Sequence, residues 1–293
     1  MMTLKPLVFF GTEDFSLPSL ERLIADGWPI KLVVTKPDSV RGRGLKMASP
    51  KVKILAQKHS IPVLQPDKLK DIADDLNKVA CDFAVLVAYG KIIPASIIDI
   101  FPGGIINIHP SLLPKLRGPA PIEGAILEGS SKTGVSLIRL SEAMDAGPIY
   151  IQTEVGLKGI ETKPELYDQL SKVGANLLSE NLSSIIEDHI KPVEQNETDA
   201  TYTKLLSKAD GMVRWDEPAK DIERRVRAYL EFPKSRAVIG DKEVILLEVR
   251  LAKSLEDGKL VIPCYKSFLE VLKLRAPNGR EMSGDDFRRG YLK

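Results

Sequence analysis

The chain has 293 residues, 43% hydrophobic and 28% charged, with a formal net charge of +2. That length is too great for one ordinary core and predicts two domains, and the composition excludes a disordered or fibrous chain. Cys81 and Cys264 lie far apart and outside any metal-ligand spacing, which argues against a disulfide scaffold and for a reducing compartment.

The apolar run Leu7–Phe10 is shorter than the roughly 7 residues of a signal-peptide core. No stretch approaches the ~18 apolar residues of a membrane span. A cytoplasmic protein with no membrane partner is therefore expected.

In the first half, 6–11, 30–35, 83–88 and 104–108 are short β-branched or aromatic runs without strict alternation. Such runs predict strands covered on both faces, as in a parallel sheet between helices. Helices are expected near 14–26, 50–59, 67–78 and 94–101, Pro50 opening one where its missing N–H costs nothing. This order predicts an α/β fold with an open, mostly parallel, Rossmann-like sheet. Strands over 133–140 and 148–155 follow, then a helix from Thr162 to about Glu187, opened by the capping-box spacing of Thr162 and Glu165.

The pattern then changes. The polar stretch 189–205 has no periodicity and reads as a linker between a domain over 1–188 and another over 206–293. In the second, a helix near 218–229 precedes short strands at 235–239, 243–249, 259–264 and 268–274, with turn signals at Gly240-Asp241 and Pro277-Asn278-Gly279. A small OB-like β-barrel is expected, closed by a short helix after Ser283.

Charge is unevenly spread. Residues 206–293 carry a net +4 against −2 for the rest. Within 36–53, Lys36, Arg41, Arg43, Lys46, Lys51 and Lys53 face Asp38 alone. A glycine-punctuated loop of this kind has no helix face to solvate and points to a phosphate-rich partner.

The first strand leads into Gly11-Thr12-Glu13-Asp14-Phe15. The glycines that let backbone approach a pyrophosphate are absent, so no NAD site is expected. Chemistry instead concentrates in Asn107-Ile108-His109-Pro110-Ser111-Leu112-Leu113-Pro114, followed by Arg117-Gly118-Pro119-Ala120-Pro121. On a strand, Asn107 and His109 share a side at the carboxyl end, where such sheets place ligands. Acyl transfer to an amine needs an oxyanion donor, a group that gives or stabilises a proton, and a carboxylate to orient it. Asn107, His109 and Asp145 offer that set.

These runs, with Gly134-Val135-Ser136-Leu137 and Met144-Asp145-Ala146-Gly147, resemble the folate-dependent formyltransferase family. Over nearly its whole length the chain is similar to the branch that acts on methionyl-tRNA, including Phe9-Phe10-Gly11-Thr12, the Lys36-Pro37-Asp38 to Gly42-Arg43-Gly44 loop, Val87-Ala88-Tyr89-Gly90 and the tail from Gly279 to Tyr291. The resemblance implies that Asn107, His109 and Asp145 are catalytic. It implies that Ser111, Leu112, Leu113 and Pro114 line the site of 10-formyltetrahydrofolate, with the pterin near Tyr89. It further implies that Arg41, Arg43 and Lys46 meet the acceptor stem of initiator methionyl-tRNA. No His, Cys or carboxylate cluster has metal spacing, so a metal-free enzyme is expected. A monomer is expected as well.

Three other readings compete: a formyltransferase acting on a nucleotide-linked amino sugar, a hydrolase releasing formate, and a non-catalytic tRNA-binding protein on the same scaffold. The basic loop disfavours the first. The third would have no need of Asn107, His109 and Asp145 together.

Overall fold

Strand β1 (Leu7–Gly11) is buried along its whole length, as its unbroken apolar run requires. The computed structural model describes residues 4–41 and 46–292. Helix α1 (Leu17–Ala25) follows a 3-10 turn at Asp14–Ser16. The helix expected from residue 14 thus becomes α-helical only where Pro18 can sit in its first turn. Then come β2 (Ile30–Val34), a hairpin of β3 (Ser39–Arg41) and β4 (Lys46–Ala48), α2 (Lys51–Lys58) and β5 (Val63–Leu64). Next are α3 (Ala73–Val79), β6 (Phe83–Val87), α4 (Ala95–Ile98), β7 (Gly104–His109) and α5 (Pro121–Glu128). Strands β8 (Lys132–Arg139) and β9 (Ile149–Gly156) and helix α6 (Lys163–Ile186) follow.

The principal sheet has seven strands in the order β5-β2-β1-β6-β7-β8-β9. The ladders from β5 to β7 are parallel, and β8 runs antiparallel to β7. The chain winds outward from β1 to β5, then returns to β6 on the other side of β1. Open α/β sheets form a ligand crevice at such a reversal, outside the carboxyl ends of the strands. Here those ends are Gly11-Thr12, Ala88-Tyr89 and His109.

Clustering of contacts separates two units, the first made of residues up to Gly118 with Thr133–Val155 and Tyr167–Tyr202. One core in it joins Val8, Phe10, Leu32, Leu86, Tyr89, Ile97 and Phe101. Helix α6 approaches β7 through Gly174, where a Cβ would lie 2.9 Å from Ile108 Cγ2. That close approach presses on the strand that carries Asn107 and His109.

The second unit comprises Pro119–Lys132, Gly156–Leu166 and the chain from Thr203 on. It holds α7 (Ala219–Ala228), β10 (Ser235–Ile239), β11 (Lys242–Ala252), β12 (Val261–Cys264), β13 (Ser267–Arg275), β14 (Glu281–Ser283) and α8 (Gly284–Tyr291). All ladders of this five-stranded sheet are antiparallel. Strand β11 covers one edge of β13, while β12 and β14 share the other. Among the described residues no ladder closes the sheet into a ring. Ala219, Ile222 and Val226 recur at helical spacing and bury one face of α7 in a core with Leu246, Leu269, Val271 and Phe287. Ser283 caps α8, its Oγ accepting the Asp286 N–H at 3.1 Å.

Candidate active site

Asn107 and His109 are 7% and 5% exposed, on a β7 buried from end to end. Asn107 pairs with Leu86 on β6 and Ile138 on β8, which fixes its register in the middle of the sheet. Two residues on, His109 directs its ring to the same side. Its Nε2 lies 3.0 Å from the carbonyl oxygen of Leu116. A carbonyl only accepts, so this nitrogen carries a proton. Its Nδ1 lies 3.5 Å from Oδ1 of Asp145. The carboxylate thus faces the second ring nitrogen.

Asp145 arrives from the β8–β9 connection, 36 positions after His109. Its Oδ2 accepts the backbone N–H of Gly118 at 2.8 Å. Its own backbone is left-handed at φ +50, and Leu116 (φ +60) and Ala88 (φ +44) are left-handed as well. Such conformations cost a non-glycine residue about 1–2 kcal/mol each and cluster where surrounding structure imposes them. All three flank the carboxyl ends of β6 and β7 or the residue that faces them.

The Ser111-to-Pro114 step is tied to β8 and β9. Ser136 Oγ donates to the Ser111 carbonyl at 2.6 Å and accepts the Leu113 N–H at 3.2 Å. Gln152 Nε2 donates to the Leu113 carbonyl at 2.9 Å and to Ser136 Oγ at 2.7 Å. Ser111 Oγ turns back to the Lys115 carbonyl at 2.6 Å. Leu112 packs over Gly134, where a Cβ would come within 2.5 Å of its Cδ2. The Pro114 carbonyl accepts the Thr201 N–H at 3.2 Å.

Tyr89, just past β6, is 2% exposed, and its ring meets Phe10 edge-on at 5.9 Å. Among the described residues its buried hydroxyl has no hydrogen-bond partner. Burial pushes its pKa up to about 12, so the phenol stays neutral and able to donate.

Arg43 lies outside the described residues, as do the side chains of Arg41 and Lys46. The backbones of Arg41 and Lys46 face each other as the inner pair of the β3–β4 hairpin. Within 36–53 the described residues thus form two paired antiparallel strands followed by the start of α2. Asp38 does not oppose the cations of this stretch alone. Asp38 binds Lys53 at 2.8 Å, whereas Lys51 meets Asp14 at 2.6 Å and Lys36 lies 3.9 Å from Glu13. Hydrogen bonds from Lys53, Gln65 and Ser49 hold the Asp38 carboxyl down at about 2.

Several participants carried no signal of their own in the sequence. Ser136 and Gln152 act through strand register. Arg117 stood inside the Arg-Gly-Pro run without an assigned role, and its buried guanidinium (1% exposed) binds Gln195, Glu197 and Tyr202. Among the described residues no group of three or more His, Cys, Asp or Glu is arranged to hold a metal. Among them, too, no helix is long and apolar enough to cross a membrane.

Fold and site together describe a group transferase built on a parallel sheet, and comparison gives it a family. The family described as formyl transferase matches residues 4–182, and the formyl transferase C-terminal domain matches residues 205–292. The chain belongs to the formyl transferase family. Within it, similar proteins include methionyl-tRNA formyltransferases. That of Syntrophus aciditrophicus is 36% identical across 97% of this chain and 96% of its own length. That of Geobacillus thermodenitrificans is 36% identical across 97% and 93%.

Solved structures share the fold. An N-formyltransferase from Helicobacter canadensis, in complex with folinic acid and dTDP-3-aminofucose, superposes with a TM-score of 0.70 at 17% identity, over 92% of this chain and 99% of that one. HypX from Aquifex aeolicus, in complex with tetrahydrofolic acid, gives 0.65 at 17% identity over 99% of this chain. The chain spans about half of HypX, 48% of its length.

Proposed function

We propose that the chain transfers the formyl group of 10-formyltetrahydrofolate to the α-amino group of initiator methionyl-tRNA, giving N-formylmethionyl-tRNA for translation initiation. It acts in the cytoplasm as a monomer and needs neither a metal ion nor a nicotinamide. The names of full-length relatives support the substrates. One observation carries the chemistry: an imidazole at the carboxyl end of β7 with a carboxylate 3.5 Å from its Nδ1.

In this reading the amine of methionine attacks the formyl carbon, forming a C–N bond while the carbonyl oxygen becomes an oxyanion. Asn107 donates to that oxygen, and the His109 imidazolium, its Nε2–H released from Leu116, stabilises the same charge. Asp145 accepts the proton lost by the amine, directly or through a water. The bond to N10 then breaks, N10 takes the Nε2 proton of His109, and Asp145 gives its proton to solvent, from which Nε2 is reprotonated. Once the substrates are bound, donors facing the developing charge stabilise it. Ser111, Leu112, Leu113 and Pro114 line the folate site, and the neutral Tyr89 hydroxyl donates to the pterin end.

The catalytic domain extends over 1–188, the linker over 189–205 and an RNA-binding domain over 206–293. Arg41, Arg43 and Lys46 bind the acceptor stem, Arg43 foremost, because a guanidinium bonds both phosphates and base edges. The test supplies 10-formyltetrahydrofolate with methionyl-tRNA, with a nucleotide-linked amino sugar, or with no acceptor. Formylated methionine in the first mixture supports the reading. A formylated sugar or acceptor-independent formate, without formylated methionine, replaces it.

A further inference from the structure

We infer that Gln195 is a positioning residue for Asp145, so that the polar segment read as a linker supplies part of the active site. The inference rests on the reading of Asp145 as the catalytic carboxylate and adds what holds it there. Asp145 stands in a connection whose neighbour Met144 is 58% exposed, and its own backbone is left-handed at φ +50. One long backbone bond within the connection, Ala146 N–H to the Ala143 carbonyl at 3.3 Å, helps to fix that conformation.

Gln195 does so from outside. Its Nε2 donates to the Asp145 carbonyl at 2.8 Å and to the Gly147 carbonyl at 2.7 Å, using both amide hydrogens. These two bonds grip the backbone at Asp145 and two residues beyond. Its Oε1 accepts from Arg117 Nε at 3.0 Å and Nη2 at 2.8 Å. The carboxamide can therefore face only one way, because reversal would set NH₂ against guanidinium and oxygen against two carbonyls. Arg117 is itself held by Glu197, Nη1 to Oε2 at 2.9 Å and Nη2 to Oε1 at 2.7 Å. The residue after Arg117, Gly118, donates to the Asp145 carboxylate. Arg117 thus reaches Asp145 twice: to its backbone through Gln195, and to its side chain through the next peptide.

The test compares wild type with Gln195→Met and Gln195→Glu in the full chain. Gln195 is only half-buried, so both variants are expected to fold. Gln195→Met keeps the length and loses every hydrogen bond. Gln195→Glu still accepts from Arg117 but cannot donate to either carbonyl. Misplacement of a reacting group by about 1 Å costs up to ~10²-fold. Both variants are expected to lose about 10- to 100-fold in kcat, with KM for the formyl donor within about twofold. The ¹⁵N resonance of His109 Nδ1 is expected to move in both toward its position in Asp145→Asn.

Recovery of wild-type kcat by Gln195→Glu would assign Gln195 to bracing Arg117 alone and overturn the inference. So would an unshifted Nδ1 resonance in folded Gln195→Met. If the wild-type chain formylates no methionyl-tRNA, the functional reading fails by itself, and the resonance still decides whether Gln195 positions Asp145.

Discussion

The backbone N–H of Gly118 donates to Asp145 Oδ2 at 2.8 Å, leaving Oδ1 to face the imidazole of His109. Gly118 holds φ +106, a region open to glycine and strained for any residue with a Cβ. Gly118→Ala should turn this peptide and displace the carboxylate. We expect kcat to fall about 10- to 100-fold while the chain remains folded, read from steady-state kinetics beside a thermal melt.

Leu112 owes its place to Gly134. A Cβ at 134 would lie 2.1 Å from the Thr153 carbonyl and 2.5 Å from Leu112 Cδ2. The carbonyl belongs to the sheet and cannot yield cheaply, so Gly134→Ala should overpack the strand pair, costing about 1–3 kcal/mol. It should also raise KM for the formyl donor by pushing Leu112. Denaturant melts and donor titrations test both effects. An unchanged KM would separate Leu112 from the folate site.

The Tyr89 hydroxyl is buried without a partner among the described residues. A buried polar group lacking a hydrogen bond costs about 1–3 kcal/mol, so Tyr89→Phe should not lower the stability of the free protein. If the phenol donates to the pterin, the same change removes a hydrogen bond worth about 0.5–1.5 kcal/mol and weakens folate binding roughly 2- to 12-fold. Calorimetry on the two proteins reads both quantities.

Asp38 should titrate near 2, well below the ordinary ~3.9 of an aspartate. Its folded value is depressed, so it stabilises the anchored hairpin fully above the unfolded value, and that contribution disappears as pH falls through about 2. Carboxyl ¹³C shifts followed against pH should show this. Lys53→Met removes the largest cause and should return the Asp38 titration toward the ordinary range.

Much of the fold was legible because burial on both faces leaves a plain mark. The strands β1, β2, β6 and β7 were expected from apolar runs within a residue or so of their ends, and one half of the expected capping box is present, the Thr162 N–H donating to Glu165 Oε2 at 2.9 Å while the Thr162 hydroxyl donates to the same oxygen at 2.7 Å. What escaped was short or held by distant partners. Strands β3, β4, β5 and β14 have two or three residues, too few for alternation to show. Helix α5 carried its signals, Pro121 at the start and Gly129 left-handed at the end, but they fell within a motif read for chemistry. Asn107, His109 and Asp145 stood out by residue type as a possible set, and the family resemblance gave them their expected catalytic roles. Gln195 could not stand out in this way, because a polar residue in an aperiodic segment acquires its role from a carbonyl 50 positions away. The partners of Lys36 and Lys51 escaped for the same reason: Glu13 and Asp14 lie outside the 36–53 segment and oppose it only in three dimensions.

The central claim is that one amide, one imidazole and one carboxylate act on a single carbonyl. Single-turnover formylation of methionyl-tRNA by Asn107→Ala, His109→Ala and Asp145→Asn tests it most directly, with folding and folate binding measured on the same samples. The account expects each variant to fold, to bind the formyl donor and to transfer at least ~10²-fold more slowly than wild type. A folded, donor-saturated His109→Ala protein that formylates methionine at the wild-type rate would contradict it.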